Sequence, residues 1–383
     1  MGKYTKSAEL IAEKLRDKAD VFTFSPVFDC RSELLENICL ALGGRILCFL
    51  PSTPSEKYRS RFCGGNRFFI GASLEKSENL AALHAVKELS HCVLFASLSM
   101  LKQDILADFL NETDFTAALL LHAQRSSPLC ADFDKRMLLF RDLRAQLQKT
   151  LPLCAFCAAD TSAFLRDLSA ALTLKTPSRV YPGVENICCN LLTDATVPAP
   201  AALENTVRKE GIRRMFVYCA DRQTAEDACR YFRFFGYKCS VAHGGLSYEQ
   251  NRRARNRFAD GETDILFATS GTAVSFSTLP YATATIGLPK DVFAMQSFSH
   301  PDRNIYVHFT KEHITQNIYQ TEEENERRST YTAMPSALLL QERLYMIQQL
   351  ETAVQNKETP FALLQKLYPQ IYYNADKNLE SES

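Results

Sequence analysis

MFVYCADRQTAEDACRYFRFFGYKCSVAHGGLSYEQNRRARNRFADGETDILFAT (Met215–Thr269) decides the fold. It opens with MFVYC (Met215–Cys219), an apolar run of strand length. Ala225, Ala228, Cys229, Phe232 and Phe235 then recur at the i, i+3, i+4 spacing of a helix face, and Gly236 ends the pattern. A short strand (Cys239–Ala242) leads into the turn His243-Gly244-Gly245 and a basic helix over Gln250–Phe258. DILFA (Asp264–Ala268) and ATIGL (Ala284–Leu288) supply two more strands. Strands alternating with helices of about 10–15 residues specify βαβ units and a parallel sheet.

The same rhythm extends toward the N-terminus. Residues 1–45 read as helical, with Leu34, Leu35, Ile38 and Leu42 along one stripe and a stop at Gly43-Gly44. ILCFL (Ile46–Leu50), the start of RFFIGASLEKSENLAAL (Arg67–Leu83), VLFASLSML (Val93–Leu101), AALLL (Ala117–Leu121) and CAFC (Cys154–Cys157) are strand candidates. A chain of 383 residues exceeds one core, so two or three domains are expected. Pro177, Pro182, Pro198 and Pro200 mark the crossing between two of them, and AALENTVRKE (Ala201–Glu210) opens the second. The expected division is 1–195, 196–312 and a helical C-terminal extension, 313–383. In that extension SALLLQERLYMIQQLETAV (Ser336–Val354) carries Leu339, Leu340, Tyr345 and Ile347 among polar residues, and Asn374–Ser383 is polar.

Composition excludes several function classes. Net charge is zero, so the whole-chain balance gives no sign of a polyanion partner. No apolar run reaches the roughly eighteen residues of a membrane span, which argues against a membrane partner. The N-terminus is a charged amphipathic helix rather than a secretory signal, and Met-Gly-x-x-x-Lys lacks the Ser/Thr of a myristoylation motif. Thirteen cysteines, many inside apolar runs (Cys48, Cys92, Cys154, Cys157, Cys219, Cys239), read as reduced small hydrophobes of a cytoplasmic protein. Cys154-x-x-Cys157 is the one pair with metal-ligand spacing. In a strand, i and i+3 point to opposite faces, and no second pair joins it, so no zinc is expected.

Tyr218–Thr269 resembles the second RecA-like domain of superfamily 2 helicases, and among them the RecQ family. That family reads: a strand ending in Tyr-Cys, a helix, a Gly, a strand ending in His-x-Gly-Leu, an Arg-rich helix, and an Asp-containing strand ending in Ala-Thr. The resemblance implies an α/β fold of two RecA-like parallel-sheet domains, with ATP and Mg²⁺ as cofactors in active members. Ancestry alone does not imply activity.

At the positions that run the motor, this chain departs from the family. The phosphate loop of RecQ-like proteins reads Leu-Pro-Thr-Gly-x-Gly-Lys-Ser. Its backbone amides cradle phosphates, its Lys reaches the β/γ-phosphates and its hydroxyl holds Mg²⁺. Here the stretch is Leu50-Pro51-Ser52-Thr53-Pro54-Ser55-Glu56-Lys57. Both glycines are gone, Pro54 removes an amide donor, Glu56 stands where the Lys belongs, and Lys57 is one place late. The family's Asp-Glu-Ala-His, whose carboxylates hold Mg²⁺ and position the attacking water, is Leu121-His122-Ala123-Gln124. His122 reads as a surface residue at a strand end, with a catalytic role as the alternative. Downstream, Asp132-Phe133 still matches an Asp-Phe pair, while the aromatic that couples DNA to hydrolysis is Leu129, and Thr-Ala-Thr has become Cys157-Ala158-Ala159. Ala-Thr-x-Ala-Phe-Gly-Met-Gly has become Ala268–Ser275 with its glycines scrambled. The arginine-finger motif Gln-x-x-Gly-Arg-x-Gly-Arg reads Gln296 to Arg303, where His300 replaces the first arginine and Gln296 and Arg303 remain. No cysteine follows Cys239, so the four-cysteine zinc module of many relatives is absent.

One signal points the other way. Between Arg208 and Arg257 there are twelve Lys/Arg against five Asp/Glu, and Arg252, Arg253, Arg255 and Arg257 share the basic helix. Such a run is either a solvated face or a phosphate-backbone contact, the sequence-independent part of nucleic-acid binding. At 100° per residue, Arg252, Arg253 and Arg257 cluster while Arg255 points away.

Three functions remain in view. The leading one is a pseudo-helicase: a RecQ-like, helicase-derived protein that binds nucleic acid or a DNA-repair partner, with no cofactor and no ATP turnover. The second is an active ATP-dependent DNA helicase with divergent motifs, which would need ATP and Mg²⁺. The third is a protein–protein scaffold without DNA binding. Candidate partners are DNA and a protein.

Overall fold

The computed structural model describes residues 4–24, 33–50, 53, 56, 59–60, 66–102, 104–127, 133–157, 162–182, 188–192, 197–269, 281–286, 304–308, 348, 352 and 356. They divide between two compact units, the first within residues 4–182 and the second from residue 188 onward. The expected helical extension, 313–383, lies almost wholly outside the described residues.

The first unit is a seven-stranded parallel sheet. Its strands are β1 (Val21–Phe24), β2 (Arg45–Leu50), β3 (Arg67–Ile70), β4 (Cys92–Ser97), β5 (Ala117–Leu120), β6 (Leu153–Cys157) and β7 (Ser178–Val180), in the order β3-β4-β2-β5-β6-β1-β7. Helices α1 (Thr5–Arg16), α2 (Glu33–Leu42), α3 (Lys76–Glu88), α4 (Asp104–Glu112), α5 (Leu139–Gln146) and α6 (Ser162–Leu172) connect them. Strands covered on both faces are near-continuously apolar rather than alternating; β1, β5 and β6 are buried at every residue, with Thr23 their one polar side chain. Glycines end α2: Gly43 (φ +66°) and Gly44 (φ +73°) adopt the left-handed region, and a Cβ on Gly44 would collide with Thr116.

Two features of this unit differ from the sequence reading. Residues 1–45 are not helical throughout, because VFTF forms β1, threaded between β6 and β7. Four residues are too few to separate strand from helix by period, and the pairing that selects the strand comes from residues more than 130 positions away. Asp20, just before β1, is 5% exposed and ties these distant parts together. Its carboxylate accepts from Arg144 Nη2 (3.0 Å), the Leu153 amide (2.9 Å) and the Lys175 amide (3.2 Å). Second, the first sheet ends before residue 195: β8 (Cys188–Leu192) pairs in the other sheet, so the crossing lies on the N-terminal side of Cys188.

The second unit is a six-stranded parallel sheet in the order β10-β11-β9-β12-β13-β8. β9 is Met215–Cys219, β10 Cys239–Ala242, β11 Ile265–Ala268, β12 Ala282–Ile286 and β13 Asn304–His308. Helices α7 (Ala199–Lys209), α8 (Arg222–Phe234) and α9 (Tyr248–Ala259) complete it. The expected α8 stripe is borne out at Ala225, Ala228, Cys229 and Phe232, all buried against β9 and β11. Phe232 meets Phe267 at 5.2 Å, and each such fully buried aromatic contributes about 1.5–3 kcal/mol. The cysteines expected as small hydrophobes, Cys48, Cys92, Cys154, Cys157, Cys219 and Cys239, are buried and form no disulfide. No helix of the described residues is long and apolar enough to cross a membrane.

Candidate nucleic-acid interface

In an open parallel sheet, ligands sit at the carboxyl ends of the strands where the strand order reverses. In the first unit that place is the end of β2 and β5. The Leu121 amide donates to Phe49 O (3.2 Å), so the chain leaving β5 stays zipped to β2. His122 then takes a left-handed conformation (φ 56°, ψ 41°), and Ala123–Ser126 wind into one tight turn. Leu121 through Ser127 are all buried. His122 is 7% exposed, which corrects its reading as a surface residue. The physical reason is that the turn folds back against α6 and β6 instead of projecting from the strand.

Among the described residues no carboxylate occupies the strand end. The nearest on this stretch, Asp134, is held by Arg125 Nη2 (3.2 Å) and by Arg136 Nη2 (2.5 Å) and Nε (2.9 Å). Burial pushes the Asp134 carboxyl up, but the Arg136 hydrogen bond and the two guanidinium charges outweigh burial and hold it below the usual carboxylate range. It is a structural ion pair. Glu56 is exposed on a helical residue beyond β2, while Lys57 lies outside the described residues. A site for Mg²⁺ and a triphosphate needs carboxylates on the metal and a cation on the phosphates. Glu56, Leu121 and His122 do not fit that chemistry.

Cys154 and Cys157 are fully buried at the two ends of β6, and burial raises both thiols. Among the described residues no three His, Cys, Asp or Glu side chains gather as a metal site requires.

The second unit keeps its strand end open. Asp221 caps α8, accepting from the Thr224 amide (2.8 Å) and hydroxyl (2.7 Å). At the end of β10, His243 is buried and structural. Its Nδ1 accepts from the Gly245 amide (3.1 Å), so the ring proton sits on Nε2 and donates to Glu226 Oε1 (3.1 Å). Asn251 Nδ2 donates to His243 O (2.9 Å), Leu246 O (3.2 Å) and Ser247 O (3.3 Å), locking the turn onto α9. A reciprocal Ser247–Gln250 capping box closes the helix start. Within this rigid frame Gly244 and Gly245 are exposed. The Arg222 side chain lies over them: a Cβ on Gly244 would stand 3.4 Å from its guanidinium, and one on Gly245 3.4 Å from its Cδ. Arg222 is exposed and has no carboxylate partner among the described residues. The sequence reading missed it. Its local signal was only an arginine directly after an N-cap aspartate, and its approach to the glycines is made by the fold.

The three candidate arginines of α9 are not equivalent. Arg253 is exposed and has no ion pair among the described residues. Arg252 faces Glu249 (3.0 Å) and Arg257 faces Glu262 (3.7 Å). Arg255, expected to point away, is half-buried, and its Nε donates to Asn251 O (3.2 Å). Gln296, His300 and Arg303 lie outside the described residues.

A search of curated proteins by sequence found no match. Residues 199–281 match the family described as helicase conserved C-terminal domain. Among solved structures, the fold is similar to the DUF1998 helicase MrfA bound to DNA (TM-score 0.55, 9% identity, 79% of this chain and 48% of that one). It is similar to Mycobacterium smegmatis helicase Lhr bound to ssDNA and AMP-PNP (TM-score 0.55, 13% identity, 85% and 48%). It is also similar to an S. cerevisiae Dbp5 variant bound to a Gle1 variant and IP6 (TM-score 0.53, 13% identity, 84% and 86%). The chain spans about half the length of the first two structures, 48% of each. The fold is therefore the helicase fold of two parallel-sheet units, and residues 199–281 are similar to the helicase conserved C-terminal domain.

Proposed function

We propose that this protein is a helicase-derived, RecQ-like pseudo-helicase that binds nucleic acid and does not turn over ATP. The observation that carries the reading is the buried strand end Leu121–Ser127, which offers neither a carboxylate nor an opening where Mg²⁺ would sit. The surface left for a ligand is the Gly244–Gly245 turn with Arg222 above it and Arg253 on the following helix. Unneutralised guanidiniums bind phosphates without reading bases. DNA is the favoured ligand, since MrfA and Lhr hold DNA in their structures.

The test has two arms. Titration with a fluorescent ATP analogue and Mg²⁺ gives no saturable binding, and DNA does not stimulate phosphate release. Steady turnover abolished by Lys57→Ala overturns this arm and favours an active helicase. Single-stranded and duplex oligonucleotides bind with an affinity that falls steeply with salt. Absence of that binding leaves the scaffold reading in its place.

A further inference from the structure

The C-terminal end of α8 displays aromatic side chains that the core does not use. Phe234 is 85% exposed and Phe235 47%. Their rings meet edge to face at 5.3 Å, and Tyr231 leans on Phe235 at 5.0 Å. The helical spacing assigned Phe235 to the buried stripe. The helix instead ends at Phe234, and Phe235, as its C-cap, leaves the stripe partly uncovered. A single exposed aromatic is ordinary, but Phe234 and Phe235 touch each other, and the half-buried Tyr231 joins them to the core, so together they make a patch.

The surroundings are cationic. Arg233 and Lys238 are exposed, and neither side chain forms an ion pair among the described residues; Arg233 Nη2 donates to Cys239 O (2.9 Å), and the Lys238 amide donates to Asp264 Oδ2 (3.4 Å). Arg230 adds a third positive group, although it faces Glu226 (3.5 Å) and Asp227 (3.4 Å). The patch is remote from the Gly244–Gly245 turn. α8 leaves the carboxyl end of β9 and returns the chain to the amino end of β10, and its 13 residues span about 20 Å at 1.5 Å each.

We propose that this patch docks a short segment of a partner protein in which aliphatic or aromatic side chains are flanked by carboxylates. The apolar side chains would cover Phe234 and Phe235, and the carboxylates would meet Arg233 and Lys238. A nucleic acid suits the place less well. Successive bases need parallel stacking faces, whereas these two rings stand at 85° and form a corner. A row of phosphates also needs more unneutralised cations than the two present. The inference stands apart from the nucleic-acid reading and does not depend on it.

The experiment selects random displayed peptides on the intact chain and measures synthetic copies of the winners by fluorescence anisotropy. The expected winners carry Asp or Glu beside Leu or Phe. They bind at least about tenfold more weakly to the Phe234→Ala/Phe235→Ala chain, as for a pair of buried hot-spot aromatics. Lys238→Glu, which leaves the rings in place, weakens them as well. Circular dichroism is unchanged in both variants, because neither site fills the core. The proposal is overturned if no peptide is recovered, if the winners lack acidic residues, or if the variants bind as well as the parent. It is also overturned if the double variant abolishes a concentration-dependent dimer seen by sedimentation, since the patch then belongs to a second copy. Loss of single-stranded DNA binding in the double variant, with peptide binding retained, assigns the rings to nucleic acid and overturns it equally.

Discussion

The ends of β5 and β10 are the same kind of place, the carboxyl end of a strand in a parallel sheet, yet they have become opposites. At β5 the chain turns inward, and Leu121, His122, Ala123 and Gln124 are buried. At β10 His243 turns inward, but Gly244 and Gly245 stay exposed beneath Arg222. The strand frame is common to both; what differs is whether the first residues past the strand are used as core or as surface. The residues past a strand can be absorbed into the packing without disturbing the sheet. A turn whose use depends on bare backbone survives only while it stays small and uncovered.

The largest expected effect tests how firmly the closed end is closed. Asp134→Ala leaves Arg125 half of a broken buried pair, and thermal unfolding of the first unit should lose about 3–5 kcal/mol. The pH dependence has a definite sign. Asp134 is held below the ordinary carboxyl value, so its contribution is fully present above about pH 5 and is lost as pH falls through the folded-state value. Melting temperature measured from pH 7 downward should therefore fall in the parent, and less so in Asp134→Ala.

Next in size is an attempt to reverse the closure. Leu121→Asp with His122→Glu introduces the acidic pair that RecQ-like helicases carry but places two charges in a buried turn. It should destabilise the chain by about 2–4 kcal/mol. No Mg²⁺-dependent hydrolysis should appear, and a gain of ATP turnover would show that the strand end opens after all.

The open end predicts smaller effects on stability and distinct ones on binding. Arg222→Ala with Arg253→Ala should lower the slope of log affinity against log salt by about two units. Stability should stay within about 0.5 kcal/mol, as for exposed substitutions. Arg252→Ala and Arg257→Ala should each change the slope less, because each arginine exchanges an existing carboxylate contact for a phosphate. Arg255→Ala, whose Nε is engaged with Asn251 O, should leave the slope unchanged. If single alanine substitutions at Arg222 and at the four α9 arginines all have equal effects, the basic surface is a diffuse charged face and the contrast between the two strand ends carries no functional meaning.

The second unit was legible because its signals are local. MFVYC and Cys239–Ala242 were read to the residue, and the stripe Ala225–Phe232 follows from helical period alone. β1 was not legible, since VFTF becomes a strand only through partners in β6 and β7. His122 was misplaced for a related reason: whether a strand end faces water depends on what folds over it. At the candidate interface, the α9 arginines could be found by counting charge. Arg222 could not, because what brings it above Gly244 is the parallel alignment of β9, β11 and β10.

The threading of β1 between β6 and β7 also sets a timetable for synthesis. The N-terminal strand leaves the ribosome first, but its two neighbours end only at Cys157 and Val180. At about 5–20 residues per second, β1 waits roughly 8 to 30 s for both edges of its slot to exist. During that wait a segment with three large apolar side chains, Val21, Phe22 and Phe24, has no native partner, so the first unit is exposed to misassembly in proportion to how slowly it is translated.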